Sequence, residues 1–270
     1  MISQKENNKK LSVIIVNYKS EHYLSRCLDS FYRAAEGRVS AEVIIVNNYP
    51  LETLEGIKKT FPEIRIIVNA QNGGFGHGNN IGARVATGEL LLLLNPDTEI
   101  LSDSLTKVIA EFKLNPETGV VGSGLITEKQ QAQPWSAGSE VSLWDLIKNN
   151  LGILSSRLIW EKEKKTEAAW VSGTALFVPR KLFLELGGFD ENIFMYFEDV
   201  DLCARIRMAG KRIVYFPEFR VLHKCGGSYG EKNKHNQNRH YYDSLLYYFQ
   251  KHRSGLEFAV VKVLRKLFFA

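Results

Sequence analysis

The side chains best suited to chemistry in this chain are Asp97, the acids Glu198, Asp199 and Asp201, and His223. Asp97 closes the tripeptide Asn95-Pro96-Asp97, directly after five consecutive leucines, Leu90 to Leu94. A carboxylate there can bind a divalent cation that grips a diphosphate. Mg²⁺ and Mn²⁺ favour oxygen ligands, and Mg²⁺ needs only one or two carboxylates when phosphates complete its shell. The same Asn-Pro-Asp-Thr stretch is also a good turn, with Ser102 or Asp103 placed to cap a following helix. The three acids sit in "YFEDVDL". Phe194, Tyr196 and Phe197 beside them would desolvate a carboxylate and raise its pKa toward that of a general base. Acids in a helix's first turn also complement its dipole with no catalytic role. His223 ends an apolar stretch, where it is either a satisfied core histidine or a neutral imidazole completing a metal shell.

The glycine-rich segment "QNGGFGHGNNIG" could let a ligand approach the backbone, with Asn79 and Asn80 opening a helix; a flexible loop capped by asparagine reads equally well. Its spacing is not GxGxxG, and it follows the third strand rather than the first. No GxxxxGK[ST] occurs, which excludes a P-loop. A nicotinamide-dependent oxidoreductase would need its fingerprint after the first strand, where this chain has "NYKSEHYL".

The elements that must position these groups alternate in period. "LSVIIVNY", "AEVIIVNN" and "IRIIVN" read as strands, and the segments between them carry helical spacing, as at Leu24, Leu28 and Phe31. Strands alternating with helices predict an α/β fold with right-handed crossovers and a mainly parallel sheet flanked by helices. Ligands then sit beyond the carboxyl ends of the strands. Three such ends are polar: Asn17-Tyr18, Asn47-Asn48 and Asn95-Pro96-Asp97. Further on, "WVSGTALFVP" reads as one strand, Leu202 and Ile206 share a helix face that Gly210 ends, and "KRIVYFPEFRVLH" is extended. "EKEKK" is a solvated loop or helix face. With no Pro/Ser-rich linker, a single domain over residues 1–253 is expected, residues 10–124 facing a nucleotide and 125–230 an acceptor, followed by a basic, aromatic helical tail over 231–270.

The formal net charge is +5 over 270 residues. From Lys232 onward eight Lys/Arg face only Asp243 and Glu257, a local +6, so the rest sums to about −1. Any electrostatic partner belongs to the tail. "FAVVKVLRKLFFA" has the basic and apolar character of a helix on an anionic membrane surface, whereas "RHYYDSLLYYFQKHR" reads as a helix packing its aromatics on the domain. Nucleic acid would need a more extended basic face. Cys27, Cys203 and Cys225 suggest neither a disulfide framework nor a zinc site. "MISQKENNKK" lacks the apolar core of a secretory signal, and no apolar run spans a bilayer, so a cytoplasmic protein is expected.

Taken together, "SVIIVNYKS", the Asn72–Thr98 segment "NGGFGHGNNIGARVATGELLLLLNPDT", "WVSGTALFVPR", "GGFDENIFMYFEDVDLCARIRMAGKRIVYFPEFRVLH" and "YYDSLLYYFQKH" resemble the family-2 glycosyltransferases of GT-A fold, most closely their rhamnosyltransferase branch. The resemblance covers roughly residues 10–253. It is specific over 73–98 and 170–227 and weak over 126–169. It implies an inverting transfer of a sugar from a nucleotide diphosphate to an acceptor hydroxyl. Asp97 would hold the metal, Mg²⁺ or Mn²⁺, with Asn95 standing where relatives place a first acid. Asp199, beside Glu198, would be the catalytic base, and His223 would join the metal shell. Asn17, Tyr18, Asn47, Asn79 and the loop that includes Gly74 would lie against the sugar nucleotide. Trp170, Ser172 and Gly173 fall where an acceptor-side loop is expected. The implied donor is a dTDP-deoxyhexose, dTDP-rhamnose first. The implied acceptor is a saccharide or lipid-linked hydroxyl in cell-surface polysaccharide synthesis, reached by a peripheral enzyme on the inner face of the membrane.

Two departures alter that pattern. Relatives place Asp-Asn-Ala-Ser after the second strand, the Asp contacting the nucleobase, where this chain has Asn47-Asn48-Tyr49-Pro50. Asn95 removes one charge from the metal site. A rival of another class, a non-catalytic sugar-nucleotide-binding or scaffold protein, rests on these asparagines and predicts nucleotide binding without turnover.

Overall fold

In the computed structural model, residues 10–224 and 234–268 are described. Cys225 and Lys232, both named above, lie outside them, as does the end of the 170–227 stretch. In chain order the elements are β1 (Leu11–Asn17), α1 (Glu21–Ala35), β2 (Ala41–Asn47), α2 (Glu55–Thr60), β3 (Arg65–Val68), α3 (Gly74–Val85), β4 (Leu90–Leu94), β5 (Thr98–Ile100), α4 (Leu105–Leu114) and β6 (Thr118–Ile126). There follow β7 (Ala137–Gly138), α5 (Leu143–Asn150), α6 (Arg157–Trp160), β8 (Thr166–Ala168), β9 (Trp170–Val171), β10 (Ala175–Pro179), α7 (Arg180–Glu185), α8 (Glu198–Met208), β11 (Arg212–His223), α9 (Lys234–His252) and α10 (Gly255–Phe268).

The main sheet runs β3-β2-β1-β4-β10-β6-β11-β5, with β8 beside β11. Its first four strands are all parallel. β10 enters antiparallel between β4 and β6, which makes the sheet mixed. The chain winds outward from β1 to β3 and returns to β4 on β1's other side, so the order reverses between β1 and β4. A crevice opens at such a reversal, beyond the carboxyl ends of the strands. β4 shows why five leucines are needed. Leu90, Leu92 and Leu94 pack into the core on one face, while Leu91 and Leu93 pack into the core on the other. Each buried leucine stabilises the fold by about 1.5–3 kcal/mol.

Four expectations need correction. The glycine-rich segment is not a loop ahead of a helix opened by Asn79 and Asn80: α3 begins at Gly74 itself. The Asn72 carboxamide oxygen accepts the Gly74 N–H at 3.0 Å, satisfying an amide at the helix start. Gly74 has φ +90°, and a Cβ there would lie 2.3 Å from the Phe194 carbonyl oxygen, so only glycine fits. Gly82 serves close packing, since a Cβ would lie 2.5 Å from Ile14 of β1. Second, "WVSGTALFVP" is two strands, β9 and β10, parted by the turn Ser172–Thr174, and β9 pairs with β7 in a separate small sheet. Third, neither Ser102 nor Asp103 caps α4. Ser104 is its N-cap, Ser102 accepts the Arg220 N–H at 3.1 Å, and Asp103 pairs with Arg38 at 3.1 Å. Fourth, strand limits retreat by a residue or so, leaving Tyr18 and Asn48 just past β1 and β2.

α9 packs its aromatics inward as expected, with Leu245, Tyr248 and Phe249 buried. It is tied to α8 through Asp201, which is wholly buried and meets Arg205 (2.8 Å), Lys251 (2.8 Å) and His252 (2.7 Å). Burial opposes ionisation of Asp201, but these three partners hold its carboxyl below the usual range. Leu202 and Ile206 are buried on α8, and Gly210, at φ +76°, follows its end. Among the described residues no helix is long and apolar enough to cross a membrane.

Candidate active site

Asp97 is buried between β4 and β5, at 6% exposure, and its Oδ1 lies 3.4 Å from His223 Nε2 at the end of β11. β11 pairs antiparallel with β5, His223 against Thr98, which is how the strand ends meet. On the far side of the imidazole, Nδ1 lies 3.0 Å from the Gln133 Oε1. In the tautomer with its proton on Nδ1, that nitrogen donates to Gln133 and the Nε2 lone pair faces the Asp97 carboxylate. An oxygen and a nitrogen acceptor so placed can share a cation. Adjacent ligands of an octahedral Mg²⁺ or Mn²⁺ lie about 3 Å apart, from metal–ligand bonds of about 2.1 Å. The donor set therefore fits a divalent cation, an oxygen and a nitrogen ligand with phosphate and water left to complete the shell. No group of three or more acidic, Cys or His side chains able to hold a metal occurs among the described residues. Asn95 is partly exposed and its backbone is fixed, its N–H donating to Thr174 O at 2.8 Å.

The second acidic site is built by strain. Tyr196 (φ +66°) and Phe197 (φ +64°) are consecutive non-glycine residues in the left-handed region. Such residues cost about 1–3 kcal/mol each and cluster where function requires them. They turn the chain so that Glu198 and Asp199 open α8. Asp199 Oδ2 accepts the Gly173 N–H and Oδ1 the Val200 N–H, both at 2.8 Å. Burial raises the pKa of Asp199 above the ordinary 3.8, although these N–H groups pull it back. Glu198 is buried and its Oε2 has no hydrogen-bond partner among the described residues. Burial first, then the neighbouring Asp199 charge, pushes Glu198 up to about 8. At neutral pH Glu198 therefore keeps its proton, so the pair carries at most about one negative charge, and Asp199, anchored by two N–H groups, is the member suited to act as a base.

The two sites are joined by the turn between β9 and β10. Gly173 holds the Asp199 carboxylate, while the Thr174 carbonyl holds Asn95, two residues before Asp97. Ser172 donates its hydroxyl to Thr174 Oγ1 at 3.0 Å and its N–H to Ser136 O at 2.8 Å. Trp170 is buried against Gly138, where a Cβ would lie 2.5 Å from the indole. Its ring packs over β7 and does not face solvent.

At the ends of β1 and β2 the asparagines are buried and hydrogen-bonded within the protein. Asn17, fully buried, donates to Asn47 Oδ1 (3.0 Å) and Glu52 Oε2 (2.8 Å) and accepts from Ser20 Oγ (2.9 Å). Asn47, also fully buried, donates to the Glu52 carbonyl and accepts the Tyr49 N–H. Asn48 reaches across to the Gly74 carbonyl at 3.1 Å, tying this corner to the start of α3. Tyr18 meets Tyr49 edge-on, ring centroids 5.7 Å apart. Asn79 is buried, and its Oδ1 has no hydrogen-bond partner among the described residues. The sequence reading missed Gln133 and Glu52. Nothing about a glutamine in "QQAQPW" or a glutamate in "PLETL" distinguishes either from a surface residue; only their contacts do. Cys27 and Cys203 are buried free thiols, pushed up to about 12 by burial, and stay inert.

Comparison with known proteins supplies the family. The chain is 27% identical over 268 residues to N-acetylglucosaminyl-diphospho-decaprenol L-rhamnosyltransferase of Mycobacterium tuberculosis, covering 90% of this chain and 85% of that protein. It is 27% identical over 243 residues to rhamnosyltransferase WbbL of Escherichia coli K12, covering 87% of each. Among solved structures, GalNAc-T7 with UDP, GalNAc and Mn²⁺ superposes with a TM-score of 0.66 at 17% identity, over 91% of this chain and 48% of the other. The mannosyltransferase PcManGT of Pyrobaculum calidifontis, with GDP-Man and Mn²⁺, gives 0.61 at 19% identity, over 90% and 64%. These likenesses carry the GT-A fold. The family profile described as glycosyl transferase family 2 matches residues 12–170, well over half of the chain, and the protein belongs to that family.

Proposed function

We propose that the protein is an inverting, metal-dependent glycosyltransferase that moves a deoxyhexose, L-rhamnose first among candidates, from a dTDP-sugar to a hydroxyl of a saccharide or lipid-linked acceptor. One observation carries the reading: the Ser172–Thr174 turn holds Asp199 on one side and the Asn95–Asp97 segment on the other. On this reading the base and the leaving-group site lie on either side of one turn, an arrangement that supports a direct displacement. Asp199 takes the proton of the acceptor hydroxyl as its oxygen bonds the anomeric carbon. The bond from that carbon to the diphosphate oxygen breaks, and the configuration inverts. A divalent cation held by Asp97 and His223 would grip the diphosphate and offset its charge as it leaves. Glu198, neutral beside Asp199, leaves that carboxylate as the single base.

The deoxyhexose donor and the lipid-linked acceptor are supported by the names of the two rhamnosyltransferase relatives. A peripheral place on an anionic membrane is supported by α10, which exposes Leu256 and Val263 and carries Lys262, Arg265 and Lys266. The experiment is calorimetric titration of dTDP and UDP, with and without Mn²⁺, into the protein and its Asp97→Ala variant. Metal-dependent binding of one nucleotide, lost in the variant, is expected. No binding of either nucleotide under any condition would sink the transferase reading.

A further inference from the structure

We infer that Glu52 is the base-reading residue of the donor site, supplying from a loop the carboxylate that neither β1 nor β2 provides at its own end. The inference rests on the glycosyl-transfer reading above and adds the chemistry of the base. At the carboxyl ends of β1 and β2, next to the reversal of strand order, Asn17 and Asn47 are wholly buried and their polar atoms are engaged within the protein. Both side chains are wholly buried, so neither presents a polar atom to a ligand. The loop after β2 turns back on itself through a bond from the Glu52 N–H to the Tyr49 carbonyl, 3.0 Å. This brings the half-buried Glu52 side chain over Asn17, whose amide binds Oε2 at 2.8 Å. No hydrogen bond within the described residues engages Oε1. At the same strand ends Tyr18 and Tyr49 stand edge to face, with the Lys19 ammonium 4.9 Å from the Tyr49 ring centre.

The polarity of this corner is set by backbone groups, which cannot flip. The Tyr49 N–H can only donate and the Glu52 carbonyl can only accept, and together they fix the Asn47 carboxamide with its oxygen toward Asn17. Asn17 must then present its NH₂ to both Asn47 and Glu52. Glu52 therefore turns one acceptor inward to Asn17 and has the other left for a ligand at this corner. An acceptor there selects a base with a ring N–H beside a carbonyl: uracil or thymine through N3–H, or guanine through N1–H. Cytosine and adenine present lone pairs at those positions and are repelled.

Glu52→Gln tests this because Asn17 forces the new carbonyl inward, leaving an NH₂ toward the ligand. The shape and the bond to Asn17 survive while the outward polarity inverts. Binding of UDP, dTDP, GDP, CDP and N3-methyl-UDP is measured calorimetrically with Mn²⁺ for the protein and the variant. Among the pyrimidine nucleotides, UDP or dTDP is expected to bind the unchanged protein at least about tenfold more tightly than CDP and N3-methyl-UDP. The variant should weaken UDP or dTDP by about ten- to a hundredfold, as for loss of a charge-assisted bond, while CDP holds or gains. An equal fall for every nucleotide would reduce Glu52 to a loop-holding residue, and unchanged UDP and dTDP affinity would remove it from the site. Tight N3-methyl-UDP binding by the unchanged protein would overturn the inference without any variant. If the unchanged protein binds no nucleotide at all, the glycosyl-transfer reading fails, and the assignment of Glu52 goes with it.

Discussion

Replacing Glu198 by glutamine should abolish a loss of stability that the protein suffers as pH rises. The Glu198 carboxyl is buried, its Oε2 lacks a hydrogen-bond partner among the described residues, and the Asp199 charge is its immediate neighbour. Its proton leaves only near pH 8, against an ordinary value of 4.5. Below 4.5 the group is protonated in both folded and unfolded chains and costs nothing. Between 4.5 and about 8 the folded chain keeps a proton that the unfolded chain has released. Stability therefore falls with rising pH across that window and levels off above it. One proton limits the slope to about 1.4 kcal/mol per pH unit. For a chain of this size 1 kcal/mol corresponds to about 2–4 °C in Tm, so the slope is about 3–5 °C per pH unit. Glutamine matches the shape of the protonated acid and cannot ionise. The assay is thermal melting of both proteins at intervals from about pH 5 to about pH 9, read as the difference between their Tm values, which cancels the groups they share. A difference curve that is flat across that range would mean Glu198 ionises like a surface carboxylate, and the picture of a singly charged pair would be wrong.

Three other perturbations separate function from support. Asp199→Asn should lower kcat by about 10²–10⁴ with little change in nucleotide affinity; an equal loss of both would make Asp199 a structural ligand of Gly173. In the unchanged protein, kcat should rise with pH through a limb above the ordinary aspartate value of 3.8, because a buried base must ionise before it works; a limb at or below that value would contradict the burial. Asp201→Asn should cost about 3–5 kcal/mol, leaving Arg205, Lys251 and His252 without their shared buried anion, and denaturant melts would show it. Gly74→Ala should destabilise the protein and weaken nucleotide binding, since its Cβ would sit 2.3 Å from the Phe194 carbonyl and its φ is +90°; wild-type melting and binding would refute the packing argument.

Much of the architecture was legible because it depends on local pattern. β-branched and leucine runs alternating with amphipathic helices fix the element order, and a parallel sheet fixes which strand ends face a ligand. That was enough to put Asn17, Asn47 and Asp97 on one edge. The start of α3 was misread because glycine and asparagine signal a loop locally, while here glycine is required by contacts with Phe194 and Ile14 that are distant in sequence. The single strand expected over Trp170–Pro179 split for a similar reason. The turn inside it, Ser172–Thr174, exists to hold Asp199 and Asn95.

By itself, the sequence determined the fold class and the parallel first half of the sheet, and its resemblance to a known family singled out Asp97 and Asp199 as candidates for chemistry. Periodicity and residue type suffice for the fold, since each is a property of neighbours along the chain, whereas on spacing alone the two acids read equally as turn and helix-dipole residues. Only the tertiary structure decided which side chains complete them: Gln133 behind His223, Gly173 beneath Asp199, and Glu52 folded back over Asn17. Those contacts join residues 90, 26 and 35 positions apart. A hydrogen bond depends on the distance and direction between two atoms, and for such partners these are set when the sheet and its loops close.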